Sequence, residues 1–223
     1  MKILKMFISG LFISLGGTIF LAIENKIVGG LFFSIALLSV LNFKTMLYTG
    51  RIGYIFEYTK EERLELLVTI LFNIIGTICF AFIIFLMGNT TINTRVLTVV
   101  DTKMKEVWYE VIARSFMCGV MMVIAVEGFK KFDNPLMKNL IVILSIALFV
   151  ISGFEHSIAN FFYYYLSLFN GRGFFFNDIL VLLFTVLGNS LGSICFYFLL
   201  KKSYEKIEEK KAKNDTKNEE KLN

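Results

Sequence analysis

The sequence predicts an all-α integral membrane protein with six transmembrane helices, built as two inverted three-helix repeats whose second and fifth helices are broken. Three observations support this fold class. The chain is 56% hydrophobic, has one proline and has a mean hydropathy of +0.68, unlike a soluble domain. It contains six apolar segments of spanning length, two of which are interrupted by polar residues. Finally, the two halves of the chain resemble each other.

Each apolar segment is a candidate transmembrane helix, because roughly 17–25 apolar residues in a helix span the hydrocarbon core of a bilayer. The six candidate spans are residues 6–23, 27–43, 66–87, 107–126, 140–168 and 179–200. They predict a transmembrane domain over residues 1–202 and a charged cytoplasmic tail over residues 203–223. We expect the tail to be disordered beyond a first helical extension, since it is polar.

The distribution of basic residues predicts the orientation of the chain. With six spans both termini lie on one side, where fifteen Lys and Arg residues fall, whereas the loops on the opposite side hold five. Eight of the fifteen lie from Lys201 onward, and the remaining seven still exceed five. The positive-inside rule therefore predicts a multi-pass protein of the cell membrane with both termini in the cytoplasm. The net charge of +5 then needs no nucleic acid as a partner.

An internal repeat relates the two halves of the chain. NIIGTICFAF, residues 73–82, matches NSLGSICFYF, residues 189–198, at six of ten positions. SIALLSVLNFKT, residues 34–45, matches SIALFVISGFEH, residues 145–156, at its first four positions. The offsets are 116 and 111 residues, and three spans separate equivalent elements, so the halves must lie in the membrane in opposite orientations. The alignment gives three pairs: Lys44 with Glu155, Thr45 with His156, and Thr49 with Asn160.

Polar residues interrupt the second span at residues 42–54 and the fifth at residues 152–156. Irregular backbone at membrane depth is tolerated where it is buried in protein or lines a cavity, and inverted repeats place substrate sites at such helices. His156, the only histidine, is therefore a candidate functional residue, because ionisable groups inside membranes usually serve transport. We expect Glu155 to have a structural role, with backbone groups freed by the break or Lys44 as its partner.

Three short motifs resemble the formate/nitrite transporter family: GFEHSIAN at residues 153–160, SGLFISLGG at residues 9–17 and LYTG at residues 47–50. The resemblance runs from about residue 9 to residue 200. It implies an aquaporin-like fold and a homopentamer with one pore in each protomer, set in the lipid bilayer. It also implies transport of a small monovalent anion such as formate, nitrite or hydrosulfide. Gly119 departs from the family, which usually has an asparagine there that supports a broken helix.

The resemblance also implies roles for individual residues. The substrate pore would contain His156 at its centre, Thr49 and Asn160 beside it, and Lys103 at the outer vestibule. Two apolar constrictions would be formed by Phe33, Met122 and Phe149 on the outer side and by Leu37, Leu47 and Tyr48 on the inner side. Burying a bare anion there is very costly, and desolvation favours its protonated form. His156 is the expected proton donor, because an imidazole changes charge near neutral pH.

Two alternatives to an anion channel follow from the same residues. A neutral-solute or water channel of the aquaporin type would share the fold, but the sequence has no NPA motif and such a channel needs neither Lys103 nor His156. An intramembrane enzyme using His156 and Glu155 is disfavoured, because no second histidine and no HExxH motif accompany them. The three cysteines lie in apolar segments without metal-ligand spacing, so we expect neither a metal nor another cofactor.

Overall fold

The computed structural model describes residues 1–103, 105–173 and 175–222, with side chains described up to Lys206. All regular secondary structure within these residues is helical, which confirms the all-α class. The helices are α1 (Lys2–Ala22), α2 (Lys26–Phe33), α3 (Ile35–Asn42), α4 (Lys60–Leu86), α5 (Thr90–Lys103), α6 (Trp108–Lys131), α7 (Pro135–Ile151), α8 (Ser157–Phe169) and α9 (Phe176–Leu222). A 3-10 turn at Ile52–Tyr54 lies between α3 and α4.

Four helices in the described part of the chain are long and apolar enough to cross a membrane, namely α1, α4, α6 and α9. The segments Lys26–Asn42 and Pro135–Ile151 are also apolar but shorter. They correspond to the second and fifth predicted spans, and each ends where the predicted polar interruption begins. After Ile151 the chain is irregular until α8 starts at Ser157.

Two segments differ from the expectation. The region expected to be a loop before the fourth span contains α5, which places Lys103 in the last turn of a helix. In addition, α9 continues through Leu222, although only the start of the tail was expected to be helical. Lys and Glu are good helix formers, so the same polar composition also suits a helix.

The segment formed by α2 and α3 in the first half of the chain and the helix α7 in the second half begin and end with the same cap geometry. Asn25 caps α2 and Asn134 caps α7, and each side-chain oxygen accepts hydrogen bonds from the backbone N–H groups two and three residues later. Lys44 and Gly153, which follow the C-terminal ends of α3 and α7, have positive φ angles of 51° and 72°. In both pairs the second residue lies 109 positions after the first.

This correspondence corrects the predicted alignment of the repeat. An offset of 109 makes Leu47, rather than Thr45, the counterpart of His156. The predicted pairs are each wrong by two residues: Lys44 with Glu155, Thr45 with His156, and Thr49 with Asn160. The SIAL match lies in apolar helices, where one apolar residue readily replaces another, so it does not define the register of the repeat. Helix caps depend on backbone conformation and therefore identify equivalent positions. The offset of 116 between α4 and α9 remains valid. It relates the first residues of the two helices, and it also relates Asn73 to Asn189.

A buried asparagine on α4 holds the irregular segment that follows α3. Asn73 accepts a hydrogen bond from the backbone N–H of Tyr48 at 2.9 Å. Its Nδ2 donates to the carbonyl oxygen of Met46 at 2.9 Å and to that of Met6 on α1 at 2.7 Å. One side chain therefore joins α1, α4 and the interruption.

Asn189 on α9 makes the same three bonds in the second half of the chain. It accepts from the backbone N–H of Ser157 at 2.8 Å, and its Nδ2 donates at 2.8 Å to the carbonyl oxygens of Glu155 and of Ser115 on α6. These partners follow those of Asn73 by 109 positions. Each interruption is thus fixed by one buried asparagine.

Close packing between α6 and α9 accounts for Gly119. A Cβ atom at Gly119 would lie 2.3 Å from the carbonyl oxygen of Asn189, and one at Gly192 would lie 1.9 Å from that of Phe116. Neither position can hold a side chain without moving the backbone, so an asparagine does not fit at residue 119. The support expected from that asparagine comes from Asn189 instead.

The two positive φ angles give a matched pair of stability predictions. Lys44→Gly should stabilise the protein by about 0.5–1 kcal/mol, because a left-handed conformation is unfavourable for residues with a Cβ atom. The Lys44 side chain is exposed, so its removal loses no buried contact. Gly153→Ala should destabilise by about 1 kcal/mol, because it introduces the same strain. The nearest atom to the new Cβ, Lys26 Nζ, would be 3.9 Å away, so no clash adds to it.

The measurement is the thermal unfolding midpoint of each detergent-solubilised variant. Tm should rise for Lys44→Gly and fall for Gly153→Ala. A decrease for both variants would contradict the proposed equivalence of the two helix ends.

Candidate functional site

His156 lies at the N-terminus of α8, where the interrupted segment ends, and is 3% exposed. Its Nδ1 accepts a hydrogen bond from the backbone N–H of Ala159 at 3.2 Å, which caps α8. Because Nδ1 is an acceptor, a neutral imidazole carries its proton on Nε2. Nε2 therefore donates to Oγ1 of Thr49, 3.0 Å away and 1% exposed. The interrupted segments of the two halves meet at this buried hydrogen bond.

Glu155, next to His156, is held by a lysine and an asparagine. Its Oε2 forms an ion pair with Nζ of Lys103 and accepts a hydrogen bond from Nδ2 of Asn160 at 2.7 Å. Lys44, the predicted partner, is exposed at the end of α3, so this assignment is wrong. A buried carboxylate needs such a paired and hydrogen-bonded environment. The pair also means that Glu155 offsets much of the charge of Lys103.

A cavity of about 290 Å³ reaches His156 from one side, and we call it the His156 cavity. Its walls contain the charged side chains of Lys26, Lys103, Glu106, Arg114 and Glu155. Three cations and two acids leave this charged wall with a net charge of +1. Sequence reasoning assigned Lys103 and Glu155 but missed the other three, because they come from separate segments that only the fold brings together. In the sequence, the position of Glu106 three residues after Lys103 was the one feature that indicated a place in this charged wall.

Aromatic rings pack beside His156 at the base of this cavity. The Phe149 ring stacks on the imidazole with centroids 6.0 Å apart and 26° between the planes. Phe33 meets Phe149 edge-on at 5.8 Å and 88°. Both phenylalanines are buried and line the cavity, and Met122 is buried in the same core cluster. Two of the three residues predicted for the outer constriction therefore lie at the cavity wall, and Met122 lies in the core.

A second cavity of about 230 Å³ lies at the other end of α6, and we call it the Arg51 cavity. Its walls include Leu37 and Leu47, which were predicted to form the inner constriction, together with Arg51 and Lys130. Leu37 is 2% exposed and Leu47 is 1% exposed, so both side chains are tightly packed at this wall. Arg51 and Lys130 were not predicted as site residues.

Tyr48 packs apart from Leu37 and Leu47 among the described residues. Its ring packs in a separate cluster with Ile52, and its hydroxyl lies 2.9 Å from Oγ of Ser190 on α9. The bond from its backbone N–H to Asn73 fixes the backbone with this side chain turned toward α9.

Ser190 lies in a GxSxG sequence, a pattern found around the nucleophile of some hydrolases. Here it sits inside a helix and donates to the carbonyl oxygen of Val186, unlike a nucleophile on a strand-to-helix turn.

Glu106 lies between α5 and α6 and has one unsatisfied oxygen. Oε1 accepts a hydrogen bond from Nη1 of Arg114 at 2.8 Å, whereas Oε2 is buried without a partner among the described residues. Burial raises the pKa of Glu106 above its ordinary value, and the nearby Glu155 raises it further, against the opposing effects of Arg114 and Lys103. The folded protein therefore holds a proton on Glu106 more tightly than the unfolded chain does.

This raised pKa predicts a pH-dependent stability difference. The contribution of Glu106 is most favourable below the pKa of an unfolded glutamate, about 4.3, and is lost as pH rises through the folded pKa. Glu106→Gln mimics the protonated acid at every pH, so it should match the wild type near pH 4 and be more stable at pH 7. Thermal unfolding in detergent between pH 4 and 8 measures the difference. A constant difference across this range would contradict the raised pKa.

Two formate channels are similar in sequence to this chain. Formate channel FocA of Haemophilus influenzae is 30% identical over 150 residues, which cover 62% of this chain and 52% of that protein. Formate channel FocB of Escherichia coli strain K12 is 28% identical over 174 residues, which cover 69% of this chain and 62% of that protein. The chain spans between about half and three fifths of the length of these relatives.

Two solved structures share the fold. An FNT family ion channel superimposes with a TM-score of 0.83 at 21% identity, covering 91% of this chain and 89% of that chain. A pentameric formate channel with formate bound superimposes with a TM-score of 0.78 at 22% identity, covering 92% and 96%. The sequence profile described as formate/nitrite transporter matches residues 2–202. On the strength of this match, the chain belongs to the formate/nitrite transporter family.

Proposed function

We propose that this protein is a transmembrane channel for small monovalent anions such as formate, nitrite or hydrosulfide, in which the anion is protonated at His156 between two apolar constrictions. The observation that carries the proposal is the buried bond between His156 and Thr49, which joins the two interrupted segments between the cavities. The names of the relatives, formate channels, agree with an anion as substrate.

The charges of the His156 cavity would gather the anion. Lys26, Arg114 and Lys103 line it, and a net positive charge between low-dielectric walls raises the local concentration of anions. Lys103 alone contributes less than its formal charge suggests, because its ammonium group is paired with Glu155. Attraction is therefore shared among the three cations, and Lys103 also holds Glu155 in place beside His156.

Protonation would then carry the anion past the apolar side chains. Phe33 and Phe149 on one side of His156, and Leu37 and Leu47 on the other, provide no partner for a charge, and an apolar site favours the neutral acid. In its doubly protonated form His156 would supply the proton from Nε2, the atom now bonded to Thr49, and return to the neutral ring. A second proton on Nδ1 would face the N–H of Ala159, so the ring must turn away from that cap to take one up.

We extend the proposal to six membrane spans in two inverted three-helix repeats, with the second and fifth spans broken. Support comes from the equivalent caps of α2 and α7 and the equivalent bonds of Asn73 and Asn189. The basic residues favour both termini in the cytoplasm. The similarity in fold to a pentameric formate channel favours a homopentamer for this chain as well.

Cysteine-accessibility labelling tests the proposed topology. Single cysteines at Arg95, on α5, and at Asp133, between α6 and α7, should be labelled from opposite sides of the membrane, because α6 separates them. Labelling of both from the same side would contradict six spans in this arrangement. A variant at Glu24, in the connection between α1 and α2, should be labelled from the same side as Arg95 and serves as the control.

Substitution of His156 tests the proton step. Asparagine is a good N-cap, so His156→Asn should retain the start of α8 while removing the titrating group. Anion flux should then lose the part of its pH dependence that comes from protonation of the imidazole. His156→Phe should block flux, because it extends the apolar surface of Phe149.

Flux is measured in proteoliposomes with formate, nitrite and hydrosulfide, and with glycerol and water for comparison. An assembled His156→Asn protein with wild-type rates at every pH would rule out the proton role of His156. Rapid water or glycerol flux without anion flux would instead identify a channel of the aquaporin type.

A further inference from the structure

Arg51 uses only one edge of its guanidinium group for contacts within the protein. Nη1 donates to Oε1 of Glu65 at 3.0 Å and to Oγ1 of Thr69 at 3.3 Å. An arginine has five N–H donors, and these two bonds use both that Nη1 carries. Nε and Nη2 have no hydrogen-bond partner among the described residues. The remaining edge of the fork is therefore free.

Arg51 also lines a cavity. Arg51 forms part of the wall of the Arg51 cavity and its side chain is 20% exposed. Glu65 and Thr69, which bind Nη1, are not among the described residues that line it. The guanidinium carbon also lies 5.5 Å from the ring centroid of Tyr58, which holds the plane of the group on one side.

A second basic side chain lines the Arg51 cavity. Lys130 lines the cavity, with Nζ 3.2 Å from Oε1 of Glu127 and 3.8 Å from the ring centroid of Tyr54. Glu127, like Glu65, is not part of the wall. The described wall residues thus include two cations and no carboxylate, whereas in the His156 cavity both signs face the space. Both cations are paired with carboxylates that are not among the described lining residues, so each offers a small anion part of its charge and its remaining N–H donors.

We propose that the Arg51 cavity is a binding site for small planar anions with two oxygen atoms, of the carboxylate or nitrite type. Such an anion is held by Nε and Nη2 of Arg51 before it passes Leu37 and Leu47. This inference rests on the proposed function as an anion channel and names the substrate class that its second cavity prefers. Parallel N–H donors match two oxygens on one centre and give geometric selectivity. A single-atom acceptor such as hydrosulfide cannot use both donors in this way, so Arg51 favours two-oxygen anions over it.

Arg51→Lys is the decisive variant, because it retains the positive charge and removes the fork. The half-saturating concentration of formate and of nitrite, added on the side of the Arg51 cavity, should rise about tenfold, in line with the loss of one bidentate contact. That of hydrosulfide should stay within twofold of the wild type. Glu65 keeps a partner in this variant, since Lys2 also forms an ion pair with it.

Lys130→Gln is the matched control, because it removes a charge from the same wall without altering a fork. It should raise the half-saturating concentration of all three anions by a similar factor. The same measurement with anion added on the side of the His156 cavity should show no selective change for Arg51→Lys. A uniform effect of Arg51→Lys on the three anions, or no effect, would overturn the inference.

Chemical modification of the unaltered protein provides a second test that does not depend on folding of a variant. Phenylglyoxal should modify Arg51, identified by mass spectrometry, and formate or nitrite should slow this reaction several-fold. Hydrosulfide at the same concentration should not. Equal protection by all three anions, or none, would contradict the two-oxygen site. If the wild-type protein transports none of these anions, the proposed function itself is refuted. Transport without the selectivity described above would refute the two-oxygen site alone.

Discussion

The structure depends on how backbone groups are satisfied where helices stop inside an apolar protein. A buried N–H or carbonyl group without a partner costs about 1–3 kcal/mol, and in the membrane core no water can replace the partner. Asn73 and Asn189 meet this requirement, each with three bonds to the backbone of an interruption and of a neighbouring helix. An amide side chain suits this task, because it accepts and donates at once. The irregular segments are therefore fixed and can present side chains at defined positions.

His156 illustrates how this scaffold acts on the site. Asn189 binds the backbone on both sides of it, at Glu155 and Ser157, and the imidazole itself caps the helix that follows. The side chain is thus held at its backbone and at Nδ1, which leaves Nε2 as the atom directed at Thr49. Glu155 is held in turn by Lys103 and Asn160, so its charge is compensated within the protein. The acidic residue beside the histidine serves this arrangement as a structural anchor.

Sequence reasoning predicted the elements whose signals are local. Apolar segments and polar interruptions followed from composition, and the placing of His156 near Thr49 was implied by the family resemblance. The repeat register did not, because apolar residues in helices substitute for one another and SIAL recurs two positions out of step with the helix caps. The direction of Tyr48 depends on a hydrogen bond to Asn73, 25 residues away, which no local pattern encodes. Arg51 and Glu106 were missed for the same reason, since their partners and cavities are formed by distant segments.

The correct register also shows that the two halves share a scaffold but differ in chemistry. The helix caps and the asparagine bonds are equivalent, whereas Leu47 stands at the position equivalent to His156. An ionisable group is costly in an apolar interior, and only one of the two equivalent positions carries one. The linings of the two cavities also differ. Cations and acids together line the His156 cavity, whereas the described wall of the Arg51 cavity contains cations and no acid. The two ends of this helical scaffold therefore differ chemically: a histidine and an ion-paired acid lie at one, and two basic side chains line the cavity at the other.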